Sequence, residues 1–129
     1  MKSIQLKISF VCLFLLTVFV SADDTALLAS LEKAWRSENA AAVAARFPSR
    51  GKIYIKLNAK GGYYSSDQAL SVISEYFKNH QVTGLTFAAS DKNAAVYTAK
   101  ESVDKGVRTL HFTVVNAGDT RHITAIKAQ

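Results

Sequence analysis

Cysteine and proline are nearly absent from this sequence, each occurring once in 129 residues, as Cys12 and Pro48. A lone cysteine excludes a disulfide framework and a cysteine-rich metal site. Glycine is also sparse, at six residues, and no Gly/Pro/Ser-rich linker or repeat divides the chain. The signatures of several large enzyme classes are missing as well. Gly61-Gly62 lacks the following lysine and spacing of a phosphate loop, no HExxH helix is present, and Ser65-Ser66 has no glycine elbow. ATP-dependent, zinc-dependent and serine-hydrolase chemistries are therefore disfavoured, and no cofactor is expected.

Long apolar runs are limited to one. Ile8 to Val20 is apolar but for Ser9 and Thr17, follows a start with Lys2 and Lys7 and no acid, and leads into Val20-Ser21-Ala22. Its 13 residues fall short of the roughly 18 to 20 that span a bilayer, and small residues at the cleavage position complete the pattern of a secretory signal. The expected division is 1-22 as signal peptide and 23-129 as a single domain. Cleavage after Ala22 leaves 107 residues with no cysteine, so the exported chain must be held by its core alone. The expected destination is the periplasm or the medium, with no stable membrane anchor.

What remains is a globular composition, 49% apolar and 20% charged over the whole chain. Removing Lys2 and Lys7 leaves 14 basic against 10 acidic side chains, a net charge of +4. That favours anionic surfaces mildly and does not argue for nucleic acid.

Local patterns predict the elements. Asp24 or Thr25 caps a helix over 25–38 with Leu28, Leu31 and Trp35 on one stripe, and Asn39 caps a short helix over 40–46 that Phe47-Pro48 closes. Lys52 to Leu57 alternates apolar and polar residues as a strand, Asn58 to Gly62 reads as a turn, and Ser65 with Gln68 forms a capping box for a helix ending near Asn79-His80. Four antiparallel strands follow at 82–90, 94–103, 107–116 and 119–127. Loops centred on Lys92, Lys105-Gly106 and Ala117-Gly118 pair Phe87 with Tyr97, Ala99 with Phe112, and Phe112 with Ile123. This register buries Leu85, Tyr97, Leu110, Val114 and Ala125 on one face and leaves Thr98, Lys100, His111 and His122 on the other. Helices covering the apolar face give an α+β domain.

That order looks like the nuclear transport factor 2-like fold, the cystatin-like α+β cone. More narrowly, Gly62-Tyr63-Tyr64-Ser65-Ser66-Asp67-Gln68-Ala69 through Tyr76-Phe77, with Tyr97 and then Gly106-Val107-Arg108, resembles exported bacterial proteins grouped as domain of unknown function 4783. The likeness covers about residues 25–127. It departs where that family tends to place a His and a Gly, because this chain has Ala88-Ala89-Ser90-Asp91. The resemblance implies helices packed on the concave face of a curved, mainly antiparallel sheet in the order α-α-β-α-β-β-β-β. It implies no activity, since the fold serves isomerases, dehydratases and non-catalytic binding modules alike.

Three constellations are candidates for function. The concave face holds Tyr97, Glu101 and Arg108, with Arg108 diagonal to Glu101, and Trp35, Phe87 and Phe112 as apolar lining of a ligand pocket. An isomerase would use Glu101 as base and Tyr97 as oxyanion donor, yet their four-residue spacing is roughly 13 Å along a strand. A rim ion pair of Glu101 with Arg108 beside a core tyrosine is the blander reading. Arg46, Arg50, Lys52 and Lys56, with Lys60, lie in an acid-free stretch and are candidates for an anionic surface or glycan. His111 and His122, placed diagonally on one face with Lys100 opposite His111, lack a third ligand, so no metal is expected. His80 is expected to meet the last carbonyls of its helix. The leading expectation is an exported, non-catalytic module that binds a small apolar ligand or a protein partner, including a second copy through its sheet. The alternatives are a cofactor-free isomerase or dehydratase working in the concave pocket, and an anionic-surface binder.

Overall fold

The computed structural model describes residues 24–58, 60–88, 96–117 and 120–129, with nothing said of the side chain of residue 117. The expected leader, its cleavage site and the departure at Ala89-Ser90-Asp91 lie outside the described residues. Helix α1 spans 24–36, α2 Ala40–Ala44 and α3 Ser66–Asn79. The strands are β1 Ile53–Lys56, β2 Gly62–Tyr64, β3 Val82–Phe87, β4 Val96–Val103, β5 Gly106–Ala117 and β6 Thr120–Ala128. They form one curved, open sheet in the order β2-β1-β6-β5-β4-β3, antiparallel except where β1 runs parallel to β6.

Local chemistry accounts for the helices. Glu38, at φ 55°, takes the left-handed position usual for glycine, and the bonds Glu38 N to Trp35 O and Asn39 N to Ala34 O close α1 in a Schellman turn. Asn39 then accepts from the Ala42 N–H and starts α2. Ser65 and Gln68 bond reciprocally as the expected capping box of α3. Along α1 the buried stripe is Leu27, Leu31, Ala34 and Trp35, and Leu28, expected on it, is only partly buried. In α3, Ala69, Ile73, Tyr76 and Phe77 are buried. These stripes cover the inner face of the sheet, where Ile53, Ile55, Leu110, Phe112, Val114 and Ile123 are all essentially inaccessible.

One strand and several registers differ from expectation. Gly62-Tyr63-Tyr64, read as the end of a turn and the run-up to a helix, is edge strand β2, paired through Tyr54 with Tyr63. Three residues carry too little periodicity to announce a strand. The β4–β5 hairpin closes on Asp104-Lys105, one residue before the expected centre, so Ala99 faces Leu110 and Tyr97 faces Phe112. Gly106 at φ +136° makes this tighter turn possible. Phe87 likewise faces Ala99 rather than Tyr97. These are shifts of two residues, which preserve the face of every side chain.

The β5–β6 pair shifts further. Ala117 pairs with Thr120 and Val114 with Ile123, but beyond the irregularity between Thr113 and Val114 the partners become Thr113 with Ala125, Phe112 with Ile126 and Leu110 with Ala128. One extra residue in β6 reverses its alternation. Ile126 consequently takes the core position expected of Ala125, which is only half-buried. Replacing Ile126 with Ala is expected to cost about 2 to 5 kcal/mol in urea unfolding, and Ala125→Ser less than about 0.5 kcal/mol. Equal costs would contradict the bulge.

Candidate functional site

Glu101 is the single acid within the six strands, and it points inward with 0% exposure. It stands directly opposite Arg108 rather than diagonal to it, because the hairpin closes earlier than expected. Its Oε1 accepts from Tyr76 Oη at 2.6 Å and from Arg108 Nε at 2.9 Å, and its Oε2 accepts from Trp35 Nε1 at 2.5 Å. The pair is therefore no rim ion pair. Arg108 also donates to the Leu57 carbonyl at 2.9 Å and to the Tyr76 hydroxyl, and its guanidinium lies 5.2 Å from the centre of the Tyr76 ring. Burial first, and then the Glu101 carboxylate, raise the Tyr76 hydroxyl far above its ordinary pKa of 10.0. Burial lowers that of Arg108, but Glu101 and Tyr76 outweigh it and leave a net rise.

A cleft of about 500 Å³ opens on the other side of Tyr76, between α3 and the β1–β2 end of the sheet. Its apolar wall is Ile55 and Leu57 from β1 and its exit, with Val72 from α3. Polar groups arrive from the β1–β2 connection as Asn58 and Lys60, from β2 as Tyr64, and from the end of α3 as Glu75, Asn79 and His80. Gly62 lets the Tyr64 ring lie across it, since a Cβ there would sit 2.9 Å from the Tyr64 hydroxyl. His80 stacks on Tyr76 at 4.4 Å, and the Tyr76 carbonyl accepts from its Nδ1 at 3.1 Å, which agrees with its expected place at the helix end.

The candidates from sequence are distributed otherwise than expected. Trp35 and Phe112 meet edge to face at 5.6 Å and are fully buried, the partly buried Phe87 packs on Phe112 at 5.2 Å, and none of the three lines the cleft. Tyr97, on β4, does not line the cleft. It donates to Asp24, whose carboxylate also receives Arg121 Nε at 2.8 Å and Nη2 at 2.9 Å. Burial and then Asp24 raise the Tyr97 hydroxyl above its usual range.

The residues of the basic stretch do not share one environment. Arg46 binds Ser30 Oγ through Nε and Nη2, Arg50 and Lys52 are exposed ahead of β1, and Lys56 is half-buried on the strand's outer side. The two histidines do not share a site either. His111 lies opposite Thr98 and Lys127, whereas His122 lies opposite Val115, and Lys100 faces Thr109 rather than His111. Among the described residues no group of three His, Cys, Asp or Glu is placed to hold a metal.

Sequence reasoning placed Tyr76 on the apolar face of α3 and passed over its hydroxyl. The available signal was that a buried tyrosine needs a partner, and that Glu101 on an apolar face needs donors.

Residues 28–127 match the family described as Domain of unknown function (DUF4783). The chain belongs to the DUF4783 family. A DUF4783 protein from Bacteroides uniformis ATCC 8492 has 13% identity and a TM-score of 0.69, with 78% of this chain and 93% of that one covered. A second, from Bacteroides ovatus ATCC 8483, has 12% identity and a TM-score of 0.68, covering 78% and 91%. An NTF-2 like protein of unknown function from Silicibacter pomeroyi DSS-3 has 12% identity and a TM-score of 0.53, covering 84% and 92%. No curated protein matches the chain. This DUF4783 protein therefore has the NTF2-like cone expected from its sequence, with β2 added to the expected order.

The buried network makes two predictions. Glu101→Ala leaves Arg108 without its counter-charge and Trp35 without an acceptor, and is expected to cost about 3 kcal/mol or more in urea unfolding. Below its ordinary value of 10.0, Tyr76 is protonated in both folded and unfolded chains, so its contribution is fully present. At higher pH the unfolded chain releases that proton while the folded chain keeps it, and stability falls. Urea midpoints measured from about pH 8 to 11 should fall less steeply in Tyr76→Phe than in the wild type.

Proposed function

We propose that this DUF4783 protein is an exported, non-catalytic binding module, and that a small, mainly apolar ligand occupies the cleft between α3, β1 and β2. The observation that carries the reading is the state of Glu101. Both of its oxygens are taken by Trp35, Tyr76 and Arg108, and the cleft is lined by Tyr76 and not by Glu101. A general base must reach a substrate proton, and this carboxylate is spent on holding three elements together. What the cleft offers is recognition: Ile55, Leu57 and Val72 for an apolar body, with Asn79, Tyr64 and Lys60 at hand for a polar end.

Export is supported by the leader-like first 22 residues and the cysteine-free remainder.

Val72→Trp is expected to fill the cleft from the partly buried face of α3. Native mass spectrometry of protein purified without denaturation from its source should show a retained small molecule on the wild type and none on Val72→Trp. A wild type without adduct, or an adduct that survives Val72→Trp, would remove the cleft from the proposal.

A further inference from the structure

The outer face of the sheet has a charge pattern that the cleft does not explain. Glu101 is the sole acid in the strands and faces inward, so no outward-facing strand position among the described residues carries a carboxylate. Strand register instead aligns Lys56 of β1, Lys127 of β6, His111 of β5 and Thr98 of β4 in one row across four strands. Lys56 and Lys127 are neighbours on adjacent parallel strands, whose backbones run about 4.8 Å apart. Like charges side by side on a sheet repel, and among the described residues no strand acid on that face relieves them. An anion bridging the two ammonium groups would.

Aromatic surface adjoins the row. Tyr54 precedes Lys56 on the same outward side and pairs across the edge with Tyr63, their rings 5.0 Å apart. Tyr63 is nonetheless 71% exposed, so the ring face turned away from Tyr54 is open to a ligand. Lys127 Nζ reaches to 5.9 Å from the centre of the Tyr54 ring, joining the aromatic pair to the cationic row. Gly61 keeps this arrangement low, since a Cβ there would sit 2.1 Å from the Tyr54 hydroxyl. Beyond the row, Lys100 donates to Thr109 at 2.7 Å, giving a further cation among hydroxyls.

We propose that this face binds an acidic polysaccharide lying across the strands. Uronate or sulfate groups would sit between Lys56 and Lys127, and the C–H face of a sugar ring would stack on Tyr63. Charge complementarity selects this occupant over a second copy of the chain. A two-fold pairing uses the same patch on both partners, so pairing centred on this row would set lysines against lysines. Threonine hydroxyls along the outer face, with an exposed tyrosine beside them, suit sugar hydroxyls and ring faces together, which a purely electrostatic partner does not require. The surface is separate from the cleft, and the proposal stands independently of the ligand there.

The test is binding at low salt to polygalacturonate and heparin, with neutral dextran as control. Wild type should bind both acidic polymers and not dextran. The double substitution Lys56→Glu, Lys127→Glu should weaken binding about tenfold or more, while the charge-matched Lys33→Glu, Lys78→Glu on the helices should change it less than about twofold. Tyr63→Ala, an exposed position whose loss leaves the core intact, should weaken binding several-fold without changing its salt dependence. Equal losses from the two double variants would reduce the effect to net charge and overturn the proposal. So would tighter binding to a single-stranded oligonucleotide or to phosphatidylglycerol vesicles. Self-association that disappears with Lys56→Glu, Lys127→Glu, with no polysaccharide bound, would assign the face to a second copy instead.

Discussion

A carboxylate buried without water has to be satisfied by the protein or not be there at all, and the arrangement of this domain follows from how Glu101 is satisfied. Its three donors come from three different elements: Trp35 from α1, Tyr76 from α3 and Arg108 from β5. Arg108 then reaches the Leu57 carbonyl just past β1. Two helices and both halves of the sheet are thus tied at one point, and non-directional apolar packing acquires a fixed geometry around it. Trp35 shows the combination: its indole N–H is held by Glu101 while its ring packs edge to face on Phe77 and Phe112.

The same network decides where the molecule is open. Tyr76 gives its hydroxyl to the buried side and presents part of its surface to the cleft, with His80 stacked on it at the end of α3. Space that the aromatic residues of the interior occupy is closed, and the opening lies between α3 and the short β1–β2 hairpin. A hairpin of four and three residues can do this because β1 is anchored on its other side by parallel pairing to β6. The far end of the sheet is closed by a different ion pair, Arg121 with Asp24, which fixes the start of α1.

The bulge in β6 gives the two faces of the sheet their final character. Without it, alternation would send Ala125 inward and leave Ile126 facing water. With it, Ile126 completes the core and Lys127 joins Lys56 and His111 outside. One inserted residue therefore improves the packing of one face and concentrates positive charge on the other.

Much of this was legible in the chain. Helix positions, the capping box at Ser65 and Gln68, and the inward or outward sense of most strand residues rest on local periodicity and capping, which act within a few residues and need no knowledge of partners. The same holds for the family likeness, carried by a contiguous segment around Gly62 to Phe77. The register shifts at β3–β4 and β4–β5 had a narrow cause: a two-residue slip keeps each side chain on its face, so apolar alternation cannot distinguish the two pairings. The shift in β6 had another, a one-residue bulge that reverses alternation within the strand. Only tertiary structure decided that Arg108 lies opposite Glu101, that Tyr76 and Trp35 complete its coordination, that β2 pairs with β1, and that the opening lies behind Tyr76. Each of these depends on which residues meet across long separations in the chain, and hydrogen bonding between such partners leaves no periodic trace in the sequence.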